Sequence, residues 1–309
     1  MPGANVIAIE EHFWTPELSG SGKKNTGVPQ RLSDLGELRV REMDEAGIDL
    51  QVLSETAPAT QNLAPDAAVT LARRSNDFLH AAIGRQPDRF AGFATLPTPD
   101  PAAAADELER AVTRLGFKGA MIMGLTHGRF FDEKPFWVIF ERAAALDVPI
   151  YIHPGPPHPA VIEAYYKGYP GLIGAPLGFT VETMTQSARI IVSGVLDAYP
   201  GLKIILGHLG EALPFLLWRI DDTLAKQVKL PRGFADYFRQ HFYLTTSGAF
   251  SDSALLCSIA ELGAERIMFS VDWPYQPNVP GRKFIDAAPI STHDRTLILG
   301  QNARALLKL

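Results

Sequence analysis

The chain has 309 residues, 46% of them hydrophobic and 20% charged, with a formal net charge of −5. This is an ordinary globular composition; it admits one large α/β domain or two smaller ones and gives no electrostatic reason to expect nucleic acid or an anionic membrane surface as a partner. A single cysteine, Cys257, rules out an intrachain disulfide, and neither a signal-like N-terminus nor an 18-residue apolar run is present, so a reducing, cytoplasmic location is expected.

Short apolar runs recur along the chain, each followed by a segment of helical period. The candidate strands are "VIAI" (6–9), "LQVLS" (50–54), "FAGFATL" (90–96), "GAMIMG" (119–124), "PIYIH" (149–153), "KIILGH" (203–208), "YLTTS" (243–247) and "IMFSVD" (267–272). They are rich in Val, Ile, Leu and Phe without strict alternation, as strands covered on both faces are. Helices are predicted over 35–48, 66–85, 100–116, 134–147, 180–199, 211–228, 251–263 and 292–309. Pro101 and Gly116 mark the start and end of the third.

Eight strands alternating with helices point to a (β/α)8 TIM barrel, expected to span residues 1–309 as a single domain. A doubly wound open sheet is the runner-up, but "EEHFWTPELSG" after the first strand cannot serve as its Gly-rich phosphate loop. Two insertions fall on the face where barrel active sites sit. Residues 15–33, including "SGSGKKNTG", read as a mobile loop without the glycine spacing of a Walker motif. Residues 154–179 are rich in Pro, Gly and aromatics.

Strand ends then locate the chemistry. The first strand ends in Glu10, Glu11 and His12, the fifth in His153, the sixth in His208 and the eighth in Asp272. Only eight histidines exist, and three of them occupy these few positions. Residues two apart on a strand share a face, so Glu10 and His12 are expected to look into the barrel mouth together. Glu11 should point away, into a helix-facing salt bridge. Glu10, His12, His153 and Asp272 make a donor set that suits one divalent cation, Zn²⁺ first and Mn²⁺ or Fe²⁺ as alternatives. The end of the fourth strand, "MIMG", offers no lysine to bridge a second ion.

His208 lies in "GHLGE", where Gly207 and Gly210 permit a sharp turn and close approach. Glu211 either hydrogen-bonds His208 or is a helix-start acid. Phe13, Phe179, Trp273 and Tyr275 flank the candidate ligands and suggest a flat apolar substrate. Arg219 could pair with a substrate carboxylate or belong to a surface salt bridge. His127 and His158 are weaker candidates on the same face, and Cys257 reads as core.

The stretches "IEEHF", "IHP", "LGHLGEALPFLLWRID" and "FSVDWPY" resemble the amidohydrolase-2 branch of the amidohydrolase superfamily. The likeness is to γ-resorcylate and 2,3-dihydroxybenzoate decarboxylases, with aminocarboxymuconate semialdehyde decarboxylases more distant, and it runs nearly end to end. The resemblance implies a mononuclear metal site on a distorted barrel and non-oxidative decarboxylation of a hydroxylated aromatic acid. It implies Glu10, His12, His153 and Asp272 as ligands, His208 as acid/base or electrostatic group supported by Glu211, Arg219 on the substrate, and a homodimer or homotetramer. Met123-Gly124 and Tyr275 depart from the Asn-Gly and Phe usual in γ-resorcylate decarboxylases. The rival readings are a metal-dependent hydrolase or hydratase of the same superfamily, with His208 or Asp272 activating water, and a non-enzymatic metal-stabilised scaffold.

Overall fold

A computed structural model describes residues 6–15 and 27–309. Residues 16–26, most of the inserted loop predicted after the first strand, lie outside the described residues.

The strands are β1 (Ile7–Phe13), β2 (Leu50–Glu55), β3 (Phe90–Gly92), β4 (Ala94–Thr95), β5 (Ala120–Met123), β6 (Ile150–His153), β7 (Ile204–Leu206), β8 (Phe242–Thr245) and β9 (Ile267–Met268). Every neighbouring pair is parallel, in two arcs ordered β1-β2-β3 and β4-β5-β6-β7-β8-β9. The predicted third strand is thus split at Phe93. There the chain changes partner: Phe93 N–H bonds Leu53 O at 2.9 Å, and Ala94 N–H bonds Gly119 O at 2.9 Å. The other seam has no ladder. It closes through a single bridge between Glu11 and Trp273, with His12 N–H to Trp273 O at 2.7 Å and Asp272 N–H to Glu10 O at 3.1 Å. The result is a distorted (β/α)8 TIM barrel.

Side chains sort into two apolar layers, as alternation on a closed sheet requires. Ile7, Ile9, Leu50, Val52, Phe93, Met121, Met123, Tyr151, Ile205 and Met268 fill the barrel interior, closed below by Ala303, Leu306 and Leu307. A larger cluster, including Ala8, Phe13, Leu53, Ile122, Ile152 and Leu206, packs the outer face of the strands against the helices.

Helix ends follow their local chemistry. Pro101–Leu115 begins after Asp100, whose carboxylate accepts from Ala103 N–H at 3.1 Å, and ends at Gly116. The predicted 180–199 helix is two, Gly178–Val192 and Val195–Ala198, broken by Gly194. Helices at Val28–Ser33, Pro159–Tyr165, Phe234–His241 and Asn278–Ala287 were not expected from periodicity. Among the described residues no helix is long and apolar enough to cross a membrane.

Candidate active site

Strand β1 sets the geometry. Its pairing with β2 skips one residue between Ala8 and Glu11, a β-bulge. The extra residue lets Ile7 and Ile9 fill the interior while Glu10 and His12, further along, still point into the mouth. Glu10, His12, His153 and Asp272 converge there, and one ligand-capable atom from each lies within 4.8 Å of all the others. His12 Nε2 stands 3.2 Å from Asp272 Oδ1, and His153 Nε2 stands 3.3 Å from Glu10 Oε1.

These atoms are buried yet poorly satisfied. Among the described residues, Glu10 Oε1, His12 Nε2 and Asp272 Oδ1 have no hydrogen-bond partner of good geometry. Polar atoms that crowd one point without bonding each other are arranged as donors around a common centre, and the orphaned state would be costly without an ion. The far side of each imidazole is fixed as well: His12 Nδ1 lies 3.2 Å from Ser54 Oγ, and His153 Nδ1–H donates to Pro154 O at 2.8 Å. Each ring therefore presents Nε2 to the centre. Two imidazoles and two carboxylates fit a divalent cation.

Glu10 is held from behind by three hydroxyls that sequence reasoning missed. Tyr151 and Ser247 donate to its Oε2, and Thr245 donates at 3.3 Å. The two-residue period was the available signal, since Tyr151 precedes His153 and Thr245 precedes Ser247 by two. Burial alone would raise the Glu10 carboxyl; the three imidazoles around it, His208 first, outweigh burial and hold it far below the usual range. Burial opposes ionisation of Asp272 too, but the neighbouring His12 and His208 imidazoles win and lower it. Burial lowers His12, against the pull of Asp272.

His208 sits on a contorted turn. His208, Leu209, Glu211 and Ala212 all have positive φ, between 51° and 64°. Such non-glycine conformations cost about 1–3 kcal/mol each and persist only where surroundings hold them. Here Ser247 Oγ accepts from His208 N–H at 3.0 Å and Ser258 Oγ donates to Leu209 O at 3.2 Å. Gly207 is required by proximity: a Cβ there would stand 2.7 Å from Glu10 Oε2. The turn brings His208 Nε2 to 3.7 Å from Glu10 Oε1 and 3.9 Å from Asp272 Oδ2, while Nδ1 pairs with Glu211 Oε1 at 2.6 Å. Thr180 donates to the other Glu211 oxygen at 2.7 Å. Burial works against a charged His208, but Glu10, Asp272 and Glu211 together raise its pKa well above the ordinary value.

Other expectations are corrected. Glu11 does point away from the mouth, but it is fully buried and, among the described residues, makes no helix-facing salt bridge. It accepts from the backbone N–H groups of Val271 (3.0 Å) and Trp273 (3.1 Å), stitching the seam. Burial pushes it up to about 8, against those amides and the charge of Arg39. Phe13 does not face the mouth either: it is buried in the outer layer, stacked on Phe78 at 6.2 Å. Trp273 is likewise turned outward, under the Arg39 guanidinium at 3.9 Å and donating from Nε1 to Glu42 at 2.8 Å. Arg219 is exposed, on the helix Leu213–Leu224 that also exposes Phe215 and Trp218, and no described contact joins it to the cluster. Tyr275 stays beside the site: its ring is 5.7 Å from that of His12, and its hydroxyl meets Thr56 Oγ1 at 2.6 Å. Phe179, half-buried, precedes Thr180 at the start of the helix Gly178–Val192.

Comparison with known proteins identifies the family. The amidohydrolase family model matches residues 11–309. A γ-resorcylate decarboxylase of Polaromonas sp. JS666 is 43% identical, with 98% of each chain covered. A crystal structure of 2,6-dihydroxybenzoate decarboxylase complexed with 2,6-dihydroxybenzoate is similar with a TM-score of 0.92 at 38% identity, over 98% of this chain and 99% of that one. A dihydroxybenzoic acid decarboxylase from Polaromonas sp. JS666, with bound manganese and the inhibitor 2-nitroresorcinol, gives 0.92 at 42% identity, over 98% and 97%. Matched along nearly its whole length, the chain belongs to the amidohydrolase family, in the group that includes the γ-resorcylate decarboxylases.

Proposed function

We propose that this protein is a metal-dependent, non-oxidative decarboxylase of a hydroxylated aromatic carboxylic acid, acting as a single barrel domain. The observation that carries the reading is the convergence of Glu10, His12, His153 and Asp272 around one point, with His208 and Glu211 beside it. When bound there, a divalent cation supplies a Lewis acid and a template for the substrate carboxylate and its neighbouring phenol oxygen.

The chain's own residues do the rest. Asp272 is held ionised at rest, so it first accepts the proton of the ortho-hydroxyl and then delivers it to the ring carbon that bears the carboxylate. The carbon–carbon bond breaks, CO2 leaves, and the bonding pair restores the aromatic ring. His208, charged and oriented by Glu211, stabilises negative charge on a ring oxygen. Tyr275 bounds the ring beside His12, and Phe179, next to Thr180, is proposed to shield it from water.

The donor set suits zinc and manganese alike, and the manganese of the Polaromonas relative makes the second a full alternative. The enzyme is proposed to be cytoplasmic and to form a homodimer or homotetramer. Phe215 and Trp218, 81% and 72% exposed one turn apart, are large apolar groups of the kind that mark association surfaces. Metal analysis of purified protein, followed by a panel of hydroxybenzoates monitored by ultraviolet absorbance for CO2 loss, tests the proposal. One ion per chain and turnover of at least one ortho-hydroxy acid are expected. Turnover of none, or oxygen from ¹⁸O-labelled water appearing in the aromatic product, overturns it.

A further inference from the structure

The walls of a cavity of about 370 Å³ continue the segments that carry the metal-competent cluster. Met123, one wall, is paired in register with His153. Pro157, another, lies four residues beyond His153. Pro58 follows Thr56, whose hydroxyl holds Tyr275 against His12. Leu125 and Ile162 complete an apolar lining. Met123 and Leu125 are 4% and 8% exposed, so the floor is desolvated.

The polar groups are few and confined to the exposed rim: Asn62, His127 and His158. Two of their atoms are already engaged, His127 Nε2 with Leu63 O at 3.0 Å and His158 Nδ1 with Ala160 N–H at 3.1 Å. No Asp, Glu, Lys or Arg lines the cavity. A charged or strongly hydrogen-bonding substituent set against the Met123–Leu125 floor would lose hydration without replacement. A hydroxyl group, with roughly the 30 Å³ share of one water, would fill only about a tenth of the space.

We infer that Met123, with Leu125 and Pro157, selects the substrate: an ortho-hydroxy aromatic acid whose ring carries an apolar substituent of several carbon atoms, seated in this cavity. The inference rests on the decarboxylase reading of the adjoining site and narrows its substrate class.

The test uses the metal-loaded enzyme with 2-hydroxybenzoate, 2,6-dihydroxybenzoate and 2-hydroxybenzoates bearing methyl to butyl chains at each free ring position. At one ring position kcat/KM should rise about four-fold for each added methylene, the value of burying one such group. Met123→Asn should cut the ratio of the butyl acid to 2,6-dihydroxybenzoate by at least about ten-fold. Ile162→Trp, filling the cavity from its outer wall, should shorten the chain at which the gain stops. If hydroxybenzoates are turned over but rates fall with chain length at every position, this inference is overturned while the decarboxylase reading stands. If no acid of the panel loses CO2, the reading of the site itself fails, and the inference with it.

Discussion

Two buried carboxyl groups show how environment divides one functional group into different roles. Asp272 is kept ionised by two imidazoles, whereas Glu182, on the helix Gly178–Val192, is pushed up to about 8, first by burial and further by the charge of Glu211. Asp272→Asn is expected to lower kcat about 10²–10⁴-fold, the usual worth of a positioned proton donor, with metal content staying nearer to wild type than activity does. Steady-state kinetics beside elemental analysis reads both. Tyr151→Phe removes a donor behind Glu10 and should weaken metal affinity roughly 10–100-fold, measurable by competition with a chelating dye. Glu182 titrates near 4.5 when unfolded and near 8 when folded, so the folded state binds the extra proton between those values. Its contribution to stability is full below about 4.5 and is lost as pH rises towards 8. Glu182→Gln should therefore flatten this part of the pH dependence of Tm, gaining on wild type between pH 5 and 8. Equal slopes for the two proteins would refute the assignment. At this scale the four converging residues were legible because each ends a strand and a cation needs just those side chains. Phe13 was misread although the rule that placed Glu10 and His12 inward also turns their odd neighbours outward. Trp273 was beyond that rule, because Asp272 before it takes a φ of 72° and breaks the alternation.

Among the elements, the turn after β7 is the most tightly constrained. Gly207→Ala would place a methyl group 2.7 Å from Glu10 Oε2, so either the turn or the carboxylate must move. The expected result is a folded protein with normal far-ultraviolet circular dichroism, depleted of metal and with kcat/KM down at least ten-fold. Strand and helix identity was mostly readable, since buried parallel strands announce themselves as apolar runs. The exceptions have local causes. The bulge in β1 and the break at Phe93 are matters of register, and register depends on partners that a single strand does not name. The helix Asn278–Ala287 hides behind Pro280 and Gly281, and Phe234–His241 is barely two turns long. The choice of a barrel over an open sheet rested on counting strands and on the missing phosphate loop, and both clues were in plain sequence. What counting could not supply was the manner of closure, in which Glu11 serves as a backbone-amide acceptor rather than a salt-bridge partner.

For the molecule as a whole, cation binding and folding are linked. Removing the ion with a chelator should lower Tm, because a ligand at a hundred times its Kd stabilises the fold by about 2.7 kcal/mol. Re-addition of zinc or manganese should restore it, with scanning calorimetry as the readout. The linkage also has a direction in space. Glu10 and Asp272 stand near opposite ends of the chain and on opposite banks of the seam, where one bridge and two backbone hydrogen bonds take the place of a ladder. An ion gripped by both would act as a clasp on the weakest join of the barrel. Deuterium uptake should reveal it: after chelation the amides of His12 and Asp272 ought to exchange first, while those between β5 and β6 keep their protection. Occupancy of the centre would then govern not only turnover but how often the cylinder springs open, and with that its lifetime against proteases.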